Sequence, residues 1–172
     1  MLLVVVEGGF AAPDRAAGTR LEGVLRDCRS RGEGRAPITL RPTSNDVRIG
    51  PLVLGNVRGP RSGGSTGQTD WPFARKAPVL LPARSRVVLA IAPEAATRAA
   101  FQHRGGWVAA VRFTACYERV KAWSYRGTVG RWTFFPFAIA TTERAACVPM
   151  ELWIEGQPAP VRRLVPLGRR DC

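Results

Sequence analysis

The sequence predicts a mostly-β domain: an immunoglobulin-like antiparallel sandwich of about seven or eight short strands with one short helix. Three observations point there. Pro (14) and Gly (18) are both plentiful, and a chain so rich in breakers favours short strands and turns over long helices. Alternating apolar segments recur at short intervals, as in sandwiches and barrels. Four cysteines at long separations suit a cross-braced extracytoplasmic fold. At 172 residues, 45% of them hydrophobic, the chain is long enough to bury a substantial core as one domain.

The elements follow in chain order. Leu2–Val6 is an apolar run stopped by Glu7, and Gly9-Phe10-Ala11-Ala12 has the small-residue character of the end of an export signal. The basic start and longer apolar stretch of such a signal are missing, so a short first strand is an equal reading. Residues 1–36 are expected to be a flexible lead-in, with a helical turn near Leu21–Leu25, and residues 37–172 the domain. Ile38–Leu40 suits a short strand. In Asp46–Val57 the apolar alternation slips at Gly50-Pro51, which predicts a bulge or bend. Arg58–Gln68 is a polar, Gly-rich loop, and Phe73–Leu81 returns to apolar residues.

Arg86–Ala92 is the clearest buried strand, with Val87, Leu89 and Ile91 on one face. Pro93–Gln102 predicts the short helix: Pro suits its first turn, alanines fill it, and Gly105-Gly106 lie where a stop belongs. Trp107–Cys116 alternates, placing Trp107, Ala109, Val111 and Phe113 on one face. Arg131–Ala140 is a strand in which Pro136 signals an edge or a bulge. Cys147–Glu155 turns Val148, Met150, Leu152 and Ile154 inward and Glu151, Trp153 and Glu155 outward. It forms a hairpin with Val161–Leu167 through Gly156-Gln157.

Cys28, Cys116, Cys147 and Cys172 contain no C-x-x-C pair, which zinc ribbons and redox motifs require. Disulfides are the expected use. Of three connectivities, Cys116–Cys147 with Cys28–Cys172 is favoured. The second would close a loop worth on the order of 4 kcal/mol in chain entropy. The formal net charge is +13, and every basic residue except Lys76 and Lys121 is Arg. Such a surface attracts polyanions.

Few residues point to catalysis. Gly63-Gly64-Ser65-Thr66-Gly67 fits G-x-S-x-G, but Gln68-Thr69-Asp70-Trp71-Pro72 follows where a nucleophile elbow needs a helix. Asp70 or Glu94 and then His103 would complete a Ser–acid–His order, a pattern that composition alone can produce. His103 is the only histidine and reads as a loop or cap residue. Glu151 and Glu155 share an outward face, where they offset Arg162 and Arg163 across the hairpin. No catalytic residue, metal site or cofactor is assigned.

The most suggestive segment is Glu118–Trp132, where Lys121, Trp123, Tyr125, Arg126, Arg131 and Trp132 interleave charge with flat rings. Such surfaces bind sugars, bases or proteins through stacking and charge pairing. Equally, the aromatics can fold back over an open end of the sandwich. No zinc finger, helix-turn-helix or RNP-like motif supports nucleic-acid binding.

Phe113-Thr114-Ala115-Cys116, Cys147-Val148 and Gly168-Arg169-Arg170-Asp171-Cys172, with Gly50-Pro51-Leu52, resemble a loose group of uncharacterised secreted β-sandwich proteins of high-GC Gram-positive bacteria. The group shares an F-x-A-C strand, a later C-V strand and a G-x-x-x-C ending, and the similarity covers about residues 46–172. It implies export and a sandwich, and no known activity. The expectation is therefore a non-enzymatic module of the cell envelope or secreted space. Its partner would be an anionic or carbohydrate-bearing envelope polymer, a lipid surface or another envelope protein. A structural accessory subunit and a small hydrolase using Ser65 are the competing readings.

Overall fold

The computed structural model describes residues 24–27, 43–58, 63–103, 106–116 and 132–172. It is mostly β and sandwich-like, as expected. The strands are β1 (Val24–Arg26), β2 (Val47–Ile49), β3 (Leu52–Leu54), β4 (Gly63–Ser65), β5 (Phe73–Lys76), β6 (Val79–Pro82), β7 (Arg86–Ile91), β8 (Ala99–His103), β9 (Gly106–Val108), β10 (Ala110–Thr114), β11 (Trp132–Phe135), β12 (Ala138–Thr141), β13 (Ala146–Ile154) and β14 (Val161–Leu167). Sheet A has the order β1-β10-β7-β13-β14, sheet B β11-β6-β3-β2, and sheet C β4-β5-β12-β8-β9. Ladders between neighbours are antiparallel except the parallel β1–β10 pair.

The strands outnumber the expected seven or eight because longer ribbons bend from sheet to sheet. Phe73–Pro82 and Trp132–Thr141 form one such ribbon. Val79 lies opposite Phe135 in sheet B and Lys76 opposite Ala138 in sheet C, with no residue inserted between. At the bend Ala77 donates its N–H to the Phe137 carbonyl at 2.9 Å. The next pair along, Pro78 opposite Pro136, is therefore of the non-hydrogen-bonded kind. Neither proline's missing N–H removes a bond from the ribbon, so the chain turns there cheaply. Pro136 thus marks a corner between two sheets.

The core fills the space enclosed by this corner. Phe137 packs 5.1 Å from Phe101 and 5.4 Å from Phe113, and Phe113 is 5.1 Å from Phe135. Three sheets contribute to that cluster. Each fully buried Phe is worth roughly 2–3 kcal/mol in area removed from water. Val87, Leu89, Met150, Leu152, Val165 and Leu167 extend the core through sheet A, and Leu52, Leu54 and Leu81 through sheet B. Arg26 clamps the corner from outside: it donates to the Pro136 carbonyl at 2.6 Å and lies 6.0 Å from the Phe137 ring centroid.

Several local expectations change. Gly50-Pro51 is the tight turn of a β2–β3 hairpin, with Ile49 opposite Leu52 and Gly50 at φ 51°. Positive φ at the first central residue is what such a turn demands, and a Cβ there would sit 3.1 Å from Ile154 Cδ1. The expected helix over 93–102 is one 3₁₀ turn at Pro93–Ala95, followed by β8. Alanine's helix preference amounts to under about 1 kcal/mol per residue. Pairing with β12 and β9 and burial of Ala99 and Phe101 outweigh it. Val24–Arg26, expected within the lead-in and its helical turn, is a strand along β10. The Ile38–Leu40 segment lies outside the described residues.

The disulfide pairing also differs. Cys147 joins Cys172, with Cα atoms 5.8 Å apart. The expected Cys116–Cys147 bridge is excluded by the strand order. β7 separates β10 from β13, and Phe113 is level with Val87 and hence with Ile154. Cys116, three residues past Phe113, therefore lies beyond the end of β13 and Cys147 near its start, roughly 30 Å away at about 3.3 Å per residue. Cys116, itself disulfide-bonded, donates its N–H to Thr133 Oγ1 at 2.7 Å. Cys28 lies outside the described residues.

The hairpin of β13 and β14 forms as expected, with Ala146 opposite Leu167 and Leu152 opposite Val161. Beyond it, Gly168 donates to the Val57 carbonyl at 3.0 Å, and Asp171 lies 3.8 Å from Arg58. The bridge thus holds residues 168–172 across the junction of sheets A and B. Cys147→Ser with Cys172→Ser should lower stability by about 3.5 kcal/mol, the chain-entropy value for a loop of this length. Denaturant unfolding of the oxidised wild type and the double variant measures it.

Candidate functional site

Sheet C carries an open cleft of about 630 Å³ on its outer face. Its geometry follows from strand register. Lys76 on β5 lies opposite Ala138 on β12. Gln102, one step beyond the Ile139–Phe101 pair, continues that row, and Gln102 is opposite Trp107 on β9. The row Lys76, Ala138, Gln102, Trp107 therefore crosses four strands, roughly 14 Å at 4.8 Å per strand. Beside it, Gly64 opposite Ala74 gives a floor without bulk.

The segment joining β4 to β5 forms the far wall. Thr66 N–H donates to the Pro72 carbonyl at 3.0 Å, and the Thr66 hydroxyl donates to the Trp71 carbonyl. Gln68 N–H donates to Thr66 Oγ1 at 3.0 Å. Trp71 packs 6.5 Å from Trp107, centroid to centroid, at an interplanar angle of 51°. The Trp107 Nε1–H donates to Gln68 Oε1 at 2.5 Å. A loop leaving the β4 edge thus reaches the strand on the opposite edge of the sheet.

Sequence alternation places Trp107 with Val111 and Phe113. The phase slips instead at exposed Ala109, where the chain leaves sheet C for sheet A. Val108 packs against the core, so Trp107 faces out into the cleft. The signal available beforehand was the weak one of Trp71 directly after a Gly/Ser/Thr loop.

The remaining lining groups are Asn56, Ser65, Thr66, Gln68 and the Arg75 segment. Arg75 turns away from the opening: its guanidinium lies so close to Gly168 that a Cβ there would collide with it and with the Arg144 carbonyl. Burial pushes the Arg75 guanidinium below its ordinary pKa. Lys76 is exposed and has no ion pair among the described residues. No carboxylate lines the cleft among the described residues.

Other candidates from the sequence separate in space. Ser65 is on edge strand β4 and accepts the Gly67 N–H at 3.3 Å. His103 is on β8, three strands away, roughly 14 Å or more. Glu94 pairs with Arg162 at 2.8 Å. The Ser–acid–His order therefore does not converge. Glu151 lies opposite Arg162 and pairs with it at 3.2 Å, as the hairpin predicts, and Glu155 pairs with Arg86 at 3.3 Å. Trp132 is half-buried on β11 opposite Pro82. Lys121, Trp123, Tyr125, Arg126 and Arg131 lie outside the described residues. Among the described residues no cluster of His, Cys, Asp and Glu could hold a metal ion, and no helix is long and apolar enough to cross a membrane.

No protein-family model, curated protein or solved structure matches the chain.

The Gln68–Trp107 hydrogen bond and the Trp71–Trp107 contact hold the 66–72 segment over the sheet. Gln68→Ala should speed amide exchange across residues 66–72 about fivefold or more while shifting the unfolding midpoint little, since a single exposed hydrogen bond is worth about 1 kcal/mol. Hydrogen-exchange mass spectrometry read peptide by peptide distinguishes the two effects.

Proposed function

We propose that the chain is a non-enzymatic, extracytoplasmic binding module for a carbohydrate-bearing envelope partner, with the ligand seated in the sheet C cleft. The observation that carries this reading is the lining itself. A tryptophan at one edge shares the lining with the small residues Gly64, Ala74 and Ala138, the Gln68 and Gln102 amides and the Ser65 and Thr66 hydroxyls. Aromatic faces cover the apolar side of a sugar ring, and amides both donate to and accept from its hydroxyls. Small floor residues leave room for a ring to approach the backbone. Disulfide bonding supports an oxidising compartment.

A second reading, an accessory subunit that docks protein, is favoured by Leu164. It is the exposed large hydrophobic of the described residues, at 47%, and lies on the edge strand β14 beside Arg162 and Arg163. Co-purification with an envelope protein that resists high salt and is lost in Leu164→Asp would favour that reading.

For the first reading, Trp107→Ala should reduce retention on immobilised wall polysaccharide at least tenfold, with folding checked by circular dichroism. Unchanged retention in a folded variant removes the cleft from consideration.

A further inference from the structure

The cleft lining includes an exposed lysine that has no ion pair among the described residues, and this bears on which saccharide it takes. Lys76 stands at one end of the cross-strand row and Trp107 at the other, roughly 14 Å apart by strand spacing. The neighbouring cations are engaged elsewhere. Arg75 is buried against Gly168, and Arg144 lies over the Phe73 ring at 5.8 Å. Lys76 is exposed, lacks an ion pair among the described residues, and shares the lining with no carboxylate.

We propose that the cleft selects an acidic oligosaccharide. Lys76 takes an anionic substituent on one sugar unit while Trp107 stacks on another. This rests on the carbohydrate reading of the same site and narrows it. The strand positions of the two residues lie further apart than one sugar ring is wide, which fits a chain with its charge and its stacked ring on different units. An ammonium is a point charge that accepts a carboxylate or a phosphate in many orientations, so an uronic acid and a polyol phosphate share the required chemistry. A surface of net charge +13 raises the local concentration of either. Single-stranded nucleic acid is the competing polyanion, and its binding is an outcome of the test.

The test is isothermal titration of the intact oxidised chain at low salt with three probes, a galacturonate oligomer, its fully methyl-esterified form and a glycerol-phosphate oligomer, and with a single-stranded oligonucleotide as competitor ligand. Wild type, Lys76→Gln and Trp107→Ala are compared. The galacturonate should bind on the order of tenfold more tightly than its uncharged ester, the usual effect of one charge-assisted contact. Lys76→Gln should abolish that preference and leave ester binding intact, and Trp107→Ala should weaken both. Glycerol phosphate binding with the same Lys76 dependence identifies phosphate as the anionic source. Its failure beside a positive galacturonate result identifies the carboxylate. Equal binding of acid and ester, or a preference that survives Lys76→Gln, overturns the acidic assignment and leaves the carbohydrate reading standing. Absence of binding by all three probes overturns both, as does tighter binding of a single-stranded oligonucleotide that Trp107→Ala weakens.

Discussion

The fold depends on one corner, the place where two paired strands turn together at Pro78 and Pro136. Because these residues face each other as a pair that exchanges no hydrogen bonds, the ribbon changes direction without losing a rung of its ladder. Both halves keep the same register, so every side chain beyond the bend is already assigned to a face. Phe135 and Phe137, on either side of Pro136, then meet Phe113 and Phe101 from other strands. A slip of one residue would turn both rings to solvent. The corner and the aromatic core therefore specify each other.

The candidate site follows from the same geometry. When the ribbon leaves sheet C for sheet B, and the β9–β10 strand leaves it for sheet A, sheet C keeps an outer face with Gly64, Ala74 and Ala138 between Lys76, Gln102 and Trp107. A wide aliphatic surface there would call for a covering layer. A floor of small residues instead leaves a shallow recess, and the loop tied to Trp107 walls it. The recess is polar at its rim, so water or hydroxyl-bearing ligands satisfy it equally.

Charge is distributed unevenly over this frame. Arg162 of the β13–β14 hairpin is engaged with Glu94 and Glu151, and Arg86 on β7 with Glu155. These pairs are exposed and add little to stability, but they mute the local field. At the cleft, exposed Lys76 has no ion pair among the described residues.

Much of the frame was legible in the sequence. Arg86–Ala92, the hairpin of Cys147–Glu155 with Val161–Leu167, and the Glu151–Arg162 pair follow from alternation and turn chemistry, which act over a few residues. Disulfide chemistry and the mostly-β class follow from composition and cysteine spacing. What tertiary structure alone decided was long-range: the alanine-rich 99–103 segment as a strand, the turn of Trp107 away from the core at Ala109, the pairing of Cys147 with Cys172, and the meeting of Lys76, Gln102 and Trp107 in one row. Each of these depends on which strands become neighbours. Local propensity amounts to a fraction of a kcal/mol per residue, whereas partner choice commits whole ladders and buried faces at once.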